Sequence, residues 1–233
     1  MSDIICKNDA PCQKKYIFYK EKYMKNTILF DLDGTLLDTL TDLTNAVNHG
    51  LRAVGLPECD SREVASFLGD GYAVLMERAC KGRTDLAAES LKHFTAYYAE
   101  HLEDNTVPYA GVTDSLKALA EKGRKMAIVS NKGDAAVKVL CAKFFHPYVT
   151  EFFGVTDTMP KKPAPDMLYA AMRALGSERD DCVMVGDGEP DIRMAQSAGI
   201  DIVSVTWGFR TEEYLRTQGG RVFLHDPKQL ADL

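Results

Sequence analysis

The sequence predicts a doubly wound α/β fold: a parallel sheet with helices on both faces, interrupted after its first strand by an all-helical insert. Three observations carry that prediction. Short apolar runs alternate with segments of helical period, the pattern of right-handed βαβ units. The first run, Ile28-Leu29-Phe30, stops abruptly at Asp31 and Asp33. The stretch from Thr41 to about Val107 then has helical spacing throughout.

In a strand, residues i and i+2 point to the same side. Asp31 and Asp33 therefore emerge together where the first strand stops, and Gly34 lets the chain turn at once. A strand followed by an Asp-Gly turn is common and is the plain alternative. Open α/β sheets, however, bind ligands at the carboxyl ends of their strands. Two carboxylates there suit a hard cation and a division between nucleophile and acid/base.

Leu43, Val47, Leu51 and Val54 recur at helical spacing until Leu56-Pro57. Leu91, Phe94, Tyr98 and Leu102 form a second stripe. Both are read as packing between helices. Between them, Phe67-Leu68-Gly69-Asp70-Gly71-Tyr72 is read as a loop leading into another helix. The α/β pattern resumes at Pro108. Val112 to Lys122 is an amphipathic helix closed by Gly123. Met126–Ser130 is the next buried strand, Val137–Ala142 a helix and Phe152–Val155 a short strand. Pro165 to Leu175 is helical, ending at Gly176. Cys182–Gly186 and Asp201–Val205 are further strands, joined by a helix carrying Ile192, Met194, Ala195 and Ala198.

With 233 residues the chain can bury a real core. Net charge is −6; the Lys-rich first 25 residues carry +3, leaving −9 for the rest. An acidic body argues against nucleic acid as a partner but not against small phosphates. No run reaches transmembrane length, and the start does not resemble a signal peptide. The six cysteines are scattered without a C-x-x-C pair, which suits reduced thiols in a cytoplasmic protein. The five histidines lack metal-binding spacing and read as surface or packing residues. Nothing in residues 1–23 reads as catalytic.

Three later segments also end or follow strands, so the fold brings them to the same sheet edge. Ser130-Asn131-Lys132 offers a hydroxyl and an amide to phosphate oxygens, although Ser-Asn after a strand is more often a turn. Lys161-Lys162-Pro163-Ala164-Pro165-Asp166 supplies a lysine point charge. Gly186-Asp187-Gly188-Glu189-Pro190-Asp191 adds oxygen ligands of the kind magnesium prefers. An acid-rich helix start is the alternative for that last segment.

Asp31-Leu32-Asp33-Gly34-Thr35-Leu36-Leu37-Asp38-Thr39, with the three later segments in order, resembles the phosphatase form of the haloacid dehalogenase superfamily. The resemblance runs from about Met24 to the C-terminus and is closest to the phosphoglycolate phosphatase-like branch. It implies a Rossmann-like core over 24–40 and 108–233, a C1-type helical cap over 41–107, and an N-terminal extension over 1–23. It also implies magnesium-dependent hydrolysis of a small-molecule phosphate ester. Asp31 would be the nucleophile and Asp33 the acid/base, with neighbouring carboxylates raising the proton affinity of Asp33. Ser130, Asn131 and Lys162 would bind phosphate, along with backbone donors around Leu32 to Gly34. Asp31, the Asp33 carbonyl and Asp187 would hold the metal, with Asp191 behind them. Gly188 departs from the Ser or Thr frequent at its place. Gly69, Asp70 and Gly71 of the cap would set specificity. A nucleotidase, a pyrophosphatase or a sugar-phosphate phosphatase remains open, as does, remotely, a catalytically silent binding protein. The expected state is a monomer or homodimer with neither nucleic-acid nor membrane partners.

Overall fold

The computed structural model describes residues 25–233. In chain order they form β1 (Thr27–Phe30), β2 (Leu37–Asp38), α1 (Leu40–Ala53), α2 (Ser61–Phe67), α3 (Tyr72–Ala79), α4 (Thr84–His101) and β3 (Val107–Pro108). Then follow α5 (Val112–Glu121), β4 (Lys125–Gly133), α6 (Asp134–Phe144), β5 (Glu151–Val155), α7 (Asp166–Leu175) and β6 (Cys182–Gly186). The chain closes with α8 (Glu189–Ala198), β7 (Asp201–Val205), α9 (Glu212–Thr217) and β8 (Phe223–Leu224). The extension over 1–23, with Cys6 and Cys12, lies outside the described residues.

The six-stranded sheet has the order β5-β4-β1-β6-β7-β8, and every pairing in it is parallel. All four residues of β1 are buried because helices cover both faces. The two-residue period divides the core. Ile28, Phe30, Ile128, Val183 and Val185 pack on one face, while Leu29, Ala127, Val129 and Met184 pack on the other. The chain leaves β1 for β4 on one side and returns to β6 on the other. A strand order that reverses in this way opens a crevice at the carboxyl end of β1.

The expected strands and helices are present, with shifted ends. β4 continues past Ser130 to Gly133, and its pairing with β5 breaks register between Val129 and Gly133. α1 stops at Ala53 rather than running to Leu56, because Gly55 turns the chain at φ +72°. The four insert helices span residues 40–101, and β2 pairs antiparallel with β3 where the insert leaves and rejoins the sheet domain. Cys59, Cys80, Cys141 and Cys182 are buried free thiols, consistent with small core residues. Among the described residues, no helix is long and apolar enough to cross a membrane.

One buried carboxylate fastens this junction. Asp42, in the first turn of α1, accepts from the backbone N–H and Nδ2 of Asn105 and from the N–H and hydroxyl of Thr106. It is 2% exposed, so its charge is balanced by these donors rather than by water. Asp42→Ala should therefore cost about 3 kcal/mol, since it strands several donors in the interior. Chemical denaturation checks this; Asp42→Asn, which keeps an acceptor, should lose clearly less.

Candidate active site

β1 delivers Asp31 to the crevice, and its N–H is still held in the sheet by the Val185 carbonyl at 2.8 Å. The chain then coils tightly: the N–H groups of Leu36 and Leu37 both donate to the Leu32 carbonyl. Gly34 has φ +82°, and a Cβ there would sit 2.4 Å from Asp187 Oδ2, so no side chain fits. Of the backbone donors expected around Leu32 to Gly34, the Gly34 N–H is spent on the Leu37 carbonyl inside this turn.

Two of the expected acids meet the Lys162 ammonium. This buried group donates to Asp31 Oδ1 at 2.5 Å and to Asp191 Oδ1 at 2.7 Å. Burial works against that charge, but Asp191 and Asp31 outweigh it and raise the Lys162 pKa. Asp187 completes the group: carboxylate oxygens of Asp31, Asp187 and Asp191 lie within 4.8 Å of one another, all buried. Burial, and then Asp191, raise the Asp31 carboxyl well above the usual carboxylate range, against the pull of Lys162. The same two causes push Asp187 up to about 7, even though it accepts from the Phe209 N–H at 2.7 Å. Three clustered carboxylates, two of them on one ammonium, carry more negative charge than it offsets whenever all are ionised. That donor set suits a hard cation.

Asp33 stands apart from this cluster. Its neighbour is not a carboxylate, as the sequence led us to expect, but the Lys132 ammonium, 3.0 Å from Oδ1. The reason is the extra length of β4. Lys132 has the same strand parity as Ser130, so it points inward beside it. Ser130 is buried, and its hydroxyl accepts from the Lys132 N–H. Asn131 acts as a brace: Oδ1 accepts from the Lys162 N–H at 2.7 Å, and Nδ2 donates to the Gly69 carbonyl at 2.7 Å.

The insert covers the crevice. Gly69 and Gly71 line it at φ +115° and +85°, a region that side-chain-bearing residues rarely adopt. The Asp70 carboxylate turns instead to Arg78, at 2.6 Å. Lys161 donates to the Asp70 carbonyl, and Arg210, in the loop after β7, donates to the carbonyls of Ala65 and Leu68 and to Glu189. Gly69, Gly71, Glu189 and Arg210, with the acids and lysines of the sheet domain, line a partly open cavity of about 60 Å³. Lys132 and Arg210 carry no role in the sequence reading. For Lys132 the usable signal was its parity with Ser130. Arg210 has none, since its main partners are carbonyls of a segment far back in the chain.

A sequence profile of the haloacid dehalogenase-like hydrolases matches residues 28–205. The phosphoglycolate phosphatase of Pectobacterium atrosepticum is 34% identical over 192 residues, covering 80% of this chain and 82% of its own. That of Colwellia psychrerythraea is 33% identical over 204 residues, covering 84% and 90%. A crystal structure from Lactobacillus delbrueckii subsp. bulgaricus, provisionally named a phosphoglycolate phosphatase, aligns with a TM-score of 0.84. It is 33% identical and covers 90% of this chain and 98% of that one. Relatives this similar over at least four-fifths of the chain, with a profile spanning β1 to β7, settle the family: the chain belongs to the haloacid dehalogenase-like hydrolases.

Proposed function

We propose that the protein is a magnesium-dependent phosphomonoesterase that works through an aspartyl-phosphate intermediate on a small substrate of the 2-phosphoglycolate type. The observation that carries this reading is the separation of the two aspartates. Asp31 sits among carboxylates under the Lys162 ammonium, while the side chain of Asp33 faces Lys132. One environment suits a group that meets phosphorus, the other a group that moves protons.

A carboxylate oxygen of Asp31 attacks phosphorus as the bond to the leaving oxygen breaks. Protonated Asp33 gives its proton to that oxygen, and the alcohol departs. Asp33, now a carboxylate, takes a proton from the water that attacks the phosphoryl group. Inorganic phosphate leaves, and both aspartates return to their starting states. Lys162 offsets the charge of the phosphoryl oxygens, and Asp191 holds Lys162 in place. Asp31, Asp187 and the Asp33 carbonyl would hold magnesium, which would supply further charge neutralisation. The insert acts as a cap, excluding water and meeting the leaving group. The curated relatives named phosphoglycolate phosphatase support a leaving group of few atoms.

Turnover of a panel of phosphorylated metabolites with magnesium tests this reading. The highest kcat/KM is expected for 2-phosphoglycolate. Preference for a nucleotide or a hexose phosphate would overturn the substrate assignment. Inactivity on every ester, 4-nitrophenyl phosphate included, would overturn the chemistry. Gly69→Val and Gly71→Val should lower kcat/KM for the best substrate far more than for 4-nitrophenyl phosphate, because they force the cap loop from its positive φ. Equal losses on both substrates would place the specificity determinant elsewhere.

Asp187 also predicts a pH dependence. Its folded pKa, about 7, lies above its ordinary value of 3.8, so the folded state holds a proton that the unfolded chain has lost. The stability this adds is complete below 3.8 and is lost as pH rises through about 7. The metal-free Tm should therefore fall between about pH 4 and about pH 7 and level off above that, and magnesium should raise it more at the higher pH. Thermal scans with and without magnesium check this, and Asp187→Asn should flatten both trends.

A further inference from the structure

Among the described residues, Lys132 is a strongly buried charge at the site that the mechanism above leaves without a task. Its side chain is fully buried, and an ammonium in that position is costly unless something needs it there. An apolar residue would suit the space by packing alone. Among the described residues, the only carboxylate that pairs with Lys132 Nζ is Asp33, at 3.0 Å. The aromatic groups around it come from the insert. Tyr98, on α4, accepts a hydrogen bond from Nζ at 2.8 Å, and its ring centroid lies 4.8 Å away. The ring of Tyr72, at the start of α3, lies 5.6 Å from Nζ and meets Tyr98 edge-on. Aromatic faces at these distances attract a cation. The ammonium thus has its floor on the sheet domain and its walls on the cap.

We propose that Lys132 is a positioning residue: held by Tyr98 and Tyr72, it fixes the Asp33 carboxylate on the leaving-group side of the cavity. The acid/base group is then fully aligned only when the cap is docked and the tyrosines are in place. Closure and proton transfer become one event rather than two. The inference rests on the acid/base role of Asp33 given above.

The test is single-turnover release of the leaving group, with magnesium, from an alkyl phosphate and from 4-nitrophenyl phosphate. The poor leaving group needs a well-placed proton donor, and the good one hardly does. Lys132→Met should slow alkyl release by about 100-fold and aryl release by less than about fivefold, with KM little changed. Lys132→Arg should recover part of the loss. Tyr98→Phe keeps the ring and removes the hydroxyl. It should show the same alkyl-selective loss at smaller size, and the double variant should lose less than the product of the singles.

A raised KM with unchanged release rates would make Lys132 a substrate-binding group and overturn the proposal. Equal loss on both esters, tracking a lowered Tm, would make it structural and overturn the proposal equally. Should Lys132→Met fail to fold, Tyr98→Phe decides alone: no alkyl-selective loss there ends the idea. Asp33→Asn in the same assay separates the two layers. Its failure to discriminate between leaving groups would sink the acid/base reading itself, whereas discrimination by Asp33→Asn but not by the Lys132 and Tyr98 variants would sink only the positioning role.

Discussion

Asp31→Asn is expected to abolish turnover, with kcat falling on the order of 10⁴-fold or more, as when other covalent nucleophiles are removed. The amide has nearly the same shape but no nucleophilic oxygen anion. Folding should survive, for a reason visible in the site. Asp31 is one of three clustered buried carboxylates and shares one ammonium with Asp191, and burial with Asp191 already raises its proton affinity. Removing its charge relieves repulsion, and Lys162 keeps Asp191 as a partner. The Tm without metal should hold or rise while activity disappears. A variant keeping more than about a hundredth of wild-type kcat would exclude Asp31 as the nucleophile.

Asp33→Asn should separate chemistry from metal binding. Its side chain lies outside the carboxylate cluster, and only its backbone carbonyl is assigned to magnesium. Stabilisation by magnesium, read as a Tm shift, should therefore persist. Release of an alkyl leaving group should slow by about 10²- to 10⁴-fold, the usual worth of a positioned proton donor, and release of a nitrophenolate far less. Loss of the magnesium-induced Tm shift would mean that the side chain is itself a ligand.

The parts legible in the sequence are those whose physics is local. β1 and β6 read correctly because both of their faces are buried and their residues are apolar throughout. Asp31, Lys162, Asp187 and Asp191 could be gathered on paper because each follows a strand or sits beside a helix start, and a doubly wound sheet brings such positions to one edge. β2, β3 and β8 are two residues each, too short to show a period, and exist only through their partners. Lys132 was missed because Ser130 looked like the polar end of a strand that in fact continues. Asp42 reads as an ordinary acid in a first helical turn. Its donors are more than sixty residues away, and nothing near it announces them. The direction of the Asp70 carboxylate depended on Arg78, one helical segment further on.

The way the cap loop is held has a consequence for how such a protein can change. Arg210, Asn131 and Lys161 grip the carbonyls of Ala65, Leu68, Gly69 and Asp70. Every residue type carries a carbonyl, so the gripped atoms themselves name no side chain, although the backbone that presents them needs the positive φ of Gly69 and Gly71. Leu68 is also buried in the core and Asp70 pairs with Arg78, so those two side chains carry constraints of their own, separate from the grip on their carbonyls. If the insert works as the cap proposed above, substrate preference and seating would draw on different atoms of the same loop, the side chains for the first and the carbonyls for the second.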